Sequence, residues 1–346
     1  MIKPLKITVN ASSKYDVLIG KNLIKDSGEI LSGLVSKCKV AIITDDVVDK
    51  LYSSIVTTSL ETAGFKVVKF VFKNGEQSKN IDTYAQILSF LATNELTRTD
   101  CVLALGGGVV GDMAGFVSAT YLRGIKYVQV PTTLLAQIDS SVGGKTAIDL
   151  KEGKNLVGAF YQPQVVICDV DTLNSLPKAV FDDGMGEVAK YVVLDKLIYE
   201  HVTHDGSLEK LIALLVDYKR RIVEEDEFEG GKRRLLNFGH TIAHAIEKLS
   251  DYKTSHGSAV ATGVKVILNL SKKHRFIDSE TYENLSSATD KCVKAQELKY
   301  DIEQVAKACF NDKKRSGNTV NLVMAYGIGD ARDVKVEVDK LKEFLS

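Results

Sequence analysis

The run Cys101-Val102-Leu103-Ala104-Leu105 passes without a break into Gly106-Gly107-Gly108-Val109-Val110-Gly111. A short apolar run closed by glycines reads as a strand buried on both faces. The glycines that follow form a GxGxxG that opens a helical pattern, the context that lifts this motif above chance. Glycine lets backbone approach a pyrophosphate, and a helix N-terminus offers free N–H donors and partial positive charge. The plain alternative is a tight strand-to-helix turn. The standard Rossmann pattern also wants an acid about 20 residues on, at the end of the next strand. Here that strand ends Val128-Gln129-Val130-Pro131-Thr132-Thr133, with no acid. The natural ribose carboxylate is then upstream, at Asp45, which closes the apolar run Val40 to Thr44. The pattern therefore predicts a dinucleotide fold other than the standard Rossmann one.

Strands and helices alternate around this loop. Strands are expected at Val40–Thr44, Phe65–Phe72, Cys101–Leu105, Lys126–Val130 and Gln164–Cys168, with helices at Ile81–Thr93 and Met113–Leu122. That alternation predicts a mostly parallel α/β sheet. Leu5–Val9 and Tyr15–Ile19 read as an antiparallel addition. Past Leu176-Pro177 the pattern turns helical, with 3.6-type spacing over Leu208–Glu225, Leu235–Leu249 and Ser258–Lys273. Two short β-like runs, Thr319–Ala325 and Val334–Val338, come near the end. The expected organisation is an α/β domain over 1–175 and a mainly helical domain over 176–346, with the cleft between them the expected place for a site.

With 346 residues, 45% of them hydrophobic, the chain has ample material for two cores. Its 45 basic residues balance 45 acidic ones, so no cationic surplus points to nucleic acid. No apolar run approaches the ~20 residues a bilayer span needs, and the N-terminus does not resemble a signal peptide. Five cysteines without CxxC spacing fit a reducing cytoplasm.

Two motifs mislead. Gly143-Gly144-Lys145-Thr146 resembles the end of a P-loop, but Asp139 occupies the position of the required first glycine. Lys145 then reads either as a cation reaching into a pocket or as a solvated lysine in a hairpin. His240-Thr241-Ile242-Ala243-His244 places two imidazoles on one helical face, but Thr241 stands where a zincin has Glu. A lone HxxxH is more often an ordinary pair of histidines. His256-Gly257 lies close by, and Glu187, read here as part of a glycine-flanked turn, adds a carboxylate. Two imidazoles, a carboxylate and an open position make the donor set of a catalytic Zn²⁺ site.

Seven blocks in order resemble the 3-dehydroquinate synthase family of sugar-phosphate cyclases. They are GEQSK (Gly75 to Lys79), GGGVVGDMAGFVSATYLRG (Gly106 to Gly124), PTTLLAQIDSSVGGKTAID (Pro131 to Asp149), GKNLVGAFYQP (Gly153 to Pro163), GEVAKY (Gly186 to Tyr191), NFGHTIAHAIE (Asn237 to Glu247) and Asp312-Lys313-Lys314. The resemblance implies an NAD-binding α/β domain, a helical domain holding Zn²⁺ or Co²⁺, and a cytoplasmic homodimer. It implies Glu187, His240 and His256 as metal ligands and moves His244, which spacing alone favours as a ligand, to the substrate. The implied NAD residues are Asp45, Glu76, Lys79, Gly107, Gly108, Asp112, Thr132, Thr133, Lys154 and Asn155. The implied substrate contacts are Arg123, Asp139, Lys145, Lys190, Lys219, Arg233, Asn237, His244 and a lysine of the pair Lys313-Lys314. Lys145, Lys190, Arg233, Asn237 and His244 are the implied catalytic groups. Gly186 and Ala189 stand where alanine and a bulkier aliphatic are more familiar, and Val264 replaces a common methionine.

The implied reaction converts 3-deoxy-arabino-heptulosonate 7-phosphate to 3-dehydroquinate and phosphate. It runs by transient NAD-mediated oxidation, phosphate elimination, re-reduction and intramolecular aldol closure. The competing readings are another sugar-phosphate cyclase, such as an amino-dehydroquinate synthase or 2-deoxy-scyllo-inosose synthase, and a metal-dependent polyol dehydrogenase. The SVGGK loop (Ser141 to Lys145) weighs against the inosose enzyme, and the cationic set weighs against a neutral polyol.

Overall fold

A computed structural model describes residues 4–310 and 318–346. The chain forms two compact units. One runs through residue 176 and takes in Lys219–Glu227; the other comprises Pro177–Tyr218 and residues from 228 onward. The division expected near 175 did not foresee the return of Lys219–Glu227 to the first unit.

The first unit is built on nine strands: β1 (Leu5–Asn10), β2 (Lys14–Gly20), β3 (Lys39–Asp45), β4 (Lys66–Phe72), β5 (Cys101–Gly106), β6 (Lys126–Pro131), β7 (Lys145–Leu150), β8 (Gly153–Phe160) and β9 (Val165–Asp169). Seven form one sheet in the order β1-β2-β9-β6-β5-β3-β4, parallel apart from β1 against β2. β5 is buried along its whole length because both of its faces are covered. Cys101, Leu103 and Leu105 pack with Leu31, Val56 and Leu60. Val102 and Ala104 pack on the other side with Ile87, Leu91, Met113 and Val117. Alternation between two apolar cores makes the sequence of a parallel strand continuously hydrophobic.

The chain leaves β3 toward β4 at the sheet edge, then returns to lay β5 on the other flank of β3. Adjacent β3 and β5 thus send their connections in opposite directions, which places a switch point at their carboxyl ends. Asp45 and Gly106 stand there.

The helix after β5 runs Gly108–Thr120, five residues earlier than its apolar spacing suggests. Its glycines hid the start, because they serve close packing rather than a break. A Cβ at Gly111 would come within 2.9 Å of Gln129 Oε1, and one at Gly115 would overlap the Thr146 methyl group. Leu122 and Arg123, both at positive φ, end the segment. Thr146 belongs to the hairpin β7–β8, which sequence periodicity did not reveal.

In the second unit, helices span Lys178–Leu194, Lys196–Thr203, His240–Leu249, His256–Lys273, Ser279–Cys292 and Ile302–Phe310, and Leu208–Glu225 begins there. The strands β10 (Thr319–Gly327) and β11 (Asp330–Glu337) pair antiparallel. Two expectations are corrected. Glu187 lies inside the helix Lys178–Leu194, not in a turn. The helix expected over Leu235–Leu249 is a 3-10 segment, Lys232–Asn237, followed after Gly239 by His240–Leu249. Gly239 sits at φ 79°, and a Cβ there would meet Val264 N at 2.8 Å, so the backbone breaks the helix at a close contact. Among the described residues no helix is long and apolar enough to cross a membrane, and all five cysteines are free thiols.

Gly115→Ala tests the packing that seats the hairpin β7–β8 on the glycine-rich helix. The added methyl meets Thr146 and Tyr127, so stability falls by roughly 1–3 kcal/mol. Urea unfolding measures this, and an unchanged midpoint would show that the helix and hairpin yield freely.

Candidate active site

The first unit shapes a dinucleotide cradle at the carboxyl ends of β3, β5 and β6. Gly107 caps the helix Gly108–Thr120 in extended backbone, so its N-terminus is not blocked by a side chain. A Cβ on Gly107 would come to 3.0 Å from the Thr133 methyl, and one on Gly108 to 3.2 Å from Ser140 Oγ. Bare backbone therefore lines the cradle. The buried hydroxyls of Thr44 and Thr132 have no hydrogen-bond partner among the described residues. Buried hydroxyls without partners are costly unless a ligand satisfies them. Free helix-end N–H groups, bare glycine and two waiting hydroxyls fit a pyrophosphate-bearing cofactor. Thr44 was missed from sequence because it reads as the last residue of an apolar strand. Asp45 is buried beside it, where its Oδ1 caps the next turn through Val47 N (2.9 Å) and Val48 N (3.0 Å).

Glu76, Lys79, Asp112, Lys154 and Asn155 form one polar cluster. Lys79 Nζ lies 2.6 Å from both Asp112 Oδ2 and Asn155 Oδ1. Asn155 N donates to Asp149 Oδ1, and Asp149 N donates to the Lys79 carbonyl. Lys154 Nζ stands 3.8 Å from Glu76 Oε1. Burial works against the Lys79 ammonium, but Asp112 and Glu76 outweigh it and raise its pKa. Burial also raises the carboxyls of Asp112 and Glu76 against the pull of Lys79.

Lys219 adjoins this cluster, near enough for its charge to favour the ionised form of Asp112. Lys219 Nζ pairs with Asp139 Oδ1 at 2.8 Å and also bonds the Asp139 carbonyl. Lys145 opens β7 opposite Phe160, with its side chain exposed. Arg123 precedes β6, whereas Thr132 and Thr133 follow it. Six residues of strand separate them by roughly 20 Å.

The second unit holds a buried donor cluster. Glu187 Oε1 lies 2.9 Å from His256 Nε2 and 3.2 Å from His240 Nε2. Ligands bonded at about 2.0–2.1 Å around a tetrahedral ion stand about 3.3 Å apart; the His240 spacing is close to that, and the shorter His256 spacing is a hydrogen-bond distance. Each imidazole has its outer nitrogen engaged. His240 Nδ1 is 3.2 Å from the Phe238 carbonyl, and His256 Nδ1 is 3.3 Å from Glu247 Oε1. Those partners direct both Nε2 lone pairs inward when the imidazoles are neutral. Glu247 was missed from sequence, since a helical glutamate reads as solvated.

The glutamate itself is wholly buried. Its second oxygen lies 2.5 Å from Lys190 Nζ, one helical turn on. Burial opposes its charge, but Lys190 and His240 outweigh burial and hold its pKa well below the carboxylate range. Burial pushes His240 down to about 4. Burial acts the same way on His256, but hydrogen bonds to Glu187 and Glu247 outweigh it and raise the pKa to about 10.

Among the described residues only Glu187, His240 and His256 bring three such atoms within 4.8 Å of one another. The His244 ring stands beside them, 5.7 Å from His240 and 6.5 Å from His256 between centroids, without joining the set. The spacing-based preference for His244 as a ligand does not hold in this geometry. Arg233 is buried on the segment Lys232–Asn237, and Asn237 Nδ2 donates to Glu229 Oε1 at 3.2 Å. Lys313 and Lys314 lie outside the described residues.

A family model for the N-terminal part of 3-dehydroquinate synthase matches residues 69–183, and one for its C-terminal part matches residues 184–315. A curated 3-dehydroquinate synthase of Streptococcus suis is 41% identical over 354 residues, covering 99% of each chain. Among solved structures, 2-deoxy-scyllo-inosose synthase complexed with carbaglucose-6-phosphate, NAD⁺ and Co²⁺ aligns with a TM-score of 0.86 at 22% identity over 99% of each chain. The 2-epi-5-epi-valiolone synthase of Streptomyces hygroscopicus, with NAD⁺ and Zn²⁺ bound, aligns at 0.85 and 22% identity, over 99% of this chain and 98% of that one. The fold is the one these cyclases share. Within it, the chain belongs to the 3-dehydroquinate synthase family.

The Lys79–Asp112 pair carries its own prediction. Lys79→Met removes the cation hydrogen-bonded to Asp112, leaving only the weaker pull of Lys219, and lowers stability by roughly 3–5 kcal/mol. Adding Asp112→Leu recovers most of the loss. Denaturant titration distinguishes the outcomes, and a double variant as unstable as the single one would refute the pairing argument.

Proposed function

We propose that this chain is a 3-dehydroquinate synthase that uses NAD and one divalent ion, Zn²⁺ or Co²⁺, and works as a cytoplasmic homodimer. It takes 3-deoxy-arabino-heptulosonate 7-phosphate to 3-dehydroquinate and inorganic phosphate. The observation that carries the reading is the buried Glu187 carboxylate meeting two imidazole Nε2 atoms, in a chain 41% identical to a curated synthase. The NAD⁺ with Co²⁺ or Zn²⁺ held by the aligned cyclases supports the cofactor assignment. When bound, NAD supplies transient oxidation and re-reduction at C5, and the ion polarises the oxygen on which charge develops.

The protein's own groups hold and steer these components. Gly107 and Gly108 present backbone to the pyrophosphate, with Thr44 and Thr132 hydroxyls beside it. Asp45, Glu76, Lys79, Asp112, Thr133, Lys154 and Asn155 complete the proposed NAD site. Glu187, His240 and His256 would hold the ion, and Lys190 favours ionised Glu187 through its second oxygen. His244, beside the donor set, moves a proton between a substrate hydroxyl and solvent. Arg233 offers a planar, paired grip on a carboxylate or phosphate, whereas Lys145 and Lys219 act as movable point charges. Asn237, Asp139 and Arg123 are assigned to substrate through the family pattern.

On this reading each turnover would release one phosphate with no net rise in NADH absorbance. A phosphate dye and a spectrophotometer read both. Stoichiometric NADH without phosphate would establish a polyol dehydrogenase instead, and phosphate release with a different carbocycle by NMR would establish another cyclase.

Lys145 is assigned to substrate, not nucleotide. Lys145→Ala is expected to leave NAD affinity within a few-fold while turnover falls by about two orders of magnitude or more, as when a charged contact to the reacting molecule is lost. Equilibrium binding and steady-state kinetics separate the effects; collapsed NAD binding with nearly intact turnover reverses the assignment.

A further inference from the structure

The helix His256–Lys273 begins at Ser255, whose side chain makes no capping hydrogen bond. The first N–H groups of a helix have no partners within it. One of them, on Gly257, donates at 2.7 Å to Asp183 Oδ1. Asp183 is 74 residues away in sequence, on the helix Lys178–Leu194. It lies four positions before Glu187, so the two carboxylates share one helix face a turn apart.

The backbones also touch at this crossing. A Cβ on Gly257 would overlap the Asp183 carbonyl, and one on Gly186 would overlap the Gly257 carbonyl. Each contact adjoins a donor, since Gly186 precedes Glu187 and Gly257 follows His256. His256 is the first residue of its helix, where an uncapped backbone frays. Glu247 orients the His256 ring but cannot hold the Cα in place. The glycines permit the approach, but bare contact supplies no directional restraint. The Asp183 hydrogen bond does.

We propose that Asp183 is a positioning residue of the metal centre: by holding the Gly257 N–H it fixes His256 against Glu187 and thereby sets metal affinity. The proposal rests on the reading of Glu187, His240 and His256 as metal ligands. Metal–ligand bond lengths fall within about 0.2 Å of their standard values, so a loosened helix start is felt at the ligand.

The test loads stripped protein with Co²⁺ against a chelating dye and records the visible Co²⁺ band. Asp183→Ala is expected to weaken Co²⁺ binding by about 10–100-fold and to alter the band, as loss of an outer-shell partner does. Asp183→Asn keeps an accepting oxygen and restores affinity to within about threefold of the unmodified protein, since Asn caps helices as well as Asp. Asp195→Ala serves as the control. Asp195 caps Lys196–Thr203 in the same unit through Leu197 N and Ile198 N; its loss lowers thermal stability while Co²⁺ affinity holds. The proposal is overturned if Asp183→Ala binds Co²⁺ like the unmodified protein, if Asp183→Asn is as weak as Asp183→Ala, or if Asp195→Ala weakens binding equally. Failure of the unmodified protein to bind Co²⁺, or full binding by His256→Ala, overturns the metal reading itself and this proposal with it. Binding lost in His256→Ala but intact in Asp183→Ala overturns the proposal alone.

Discussion

An ionised carboxylate with no solvent exposure is the constraint on which the second unit depends. Glu187 is such a group, wholly buried with its pKa held low by Lys190 and His240 against burial. Removing a charge from water is costly unless opposite charge and hydrogen bonds surround it, and removing one partner typically costs about 3–5 kcal/mol. Its own helix supplies Lys190, and two further helices supply His240 and His256. Three helices must therefore meet with their donor atoms in register. Ordinary apolar packing tolerates slippage between helices; a shared buried charge does not. Outer contacts from Phe238 and Glu247 then hold the rings.

The first unit meets a different demand by a related device. Its sheet is held by apolar packing on both faces, which leaves the carboxyl ends of β3, β5 and β6 to carry chemistry. There the useful groups are N–H and hydroxyl, supplied by backbone and short side chains. Glycine at 107 and 108 keeps side-chain volume out of that space, while Gly111 and Gly115 let the same helix lie close against its neighbours. The opening and the close packing come from one residue type on one helix.

Much of this was legible in the sequence, for stated physical reasons. Strands buried on both faces announce themselves as apolar runs, so β3, β5, β6 and β9 were all found near their observed positions. The motif order pointed to the family before any geometry was known. Two of the failures share a cause: glycine was not read as a helix residue where it serves contact. Gly184 and Gly186 made Glu187 look like a turn residue inside a continuous helix, and Gly108 and Gly111 hid the start of another. The reverse error occurred at Gly239, where periodicity ran through a real break. Polar partners such as Glu247 and Asp183 were invisible because their roles depend on helices distant in sequence. The HxxxH spacing favoured His244 on the strength of a single helix, whereas the donor set is completed by another helix.

Gly186 connects these observations. Alanine is the more familiar residue at this place in the family pattern, and a methyl group here would run into the Gly257 carbonyl. The two helices would have to separate by roughly an ångström to restore ordinary contact. Such a shift exceeds what the ligand spacing of a tetrahedral ion absorbs, unless side chains compensate. Glutamate has three rotatable bonds and histidine two, so rotation can recover the distance at the expense of order. In this chain the glycine makes that rotation unnecessary and brings the backbone close enough for Asp183 to reach the Gly257 N–H at 2.7 Å. A residue that carries no chemistry of its own thus bears on how the site is held: the proposed donor atoms belong to Glu187 and His256, and the neighbouring glycines let their helices approach.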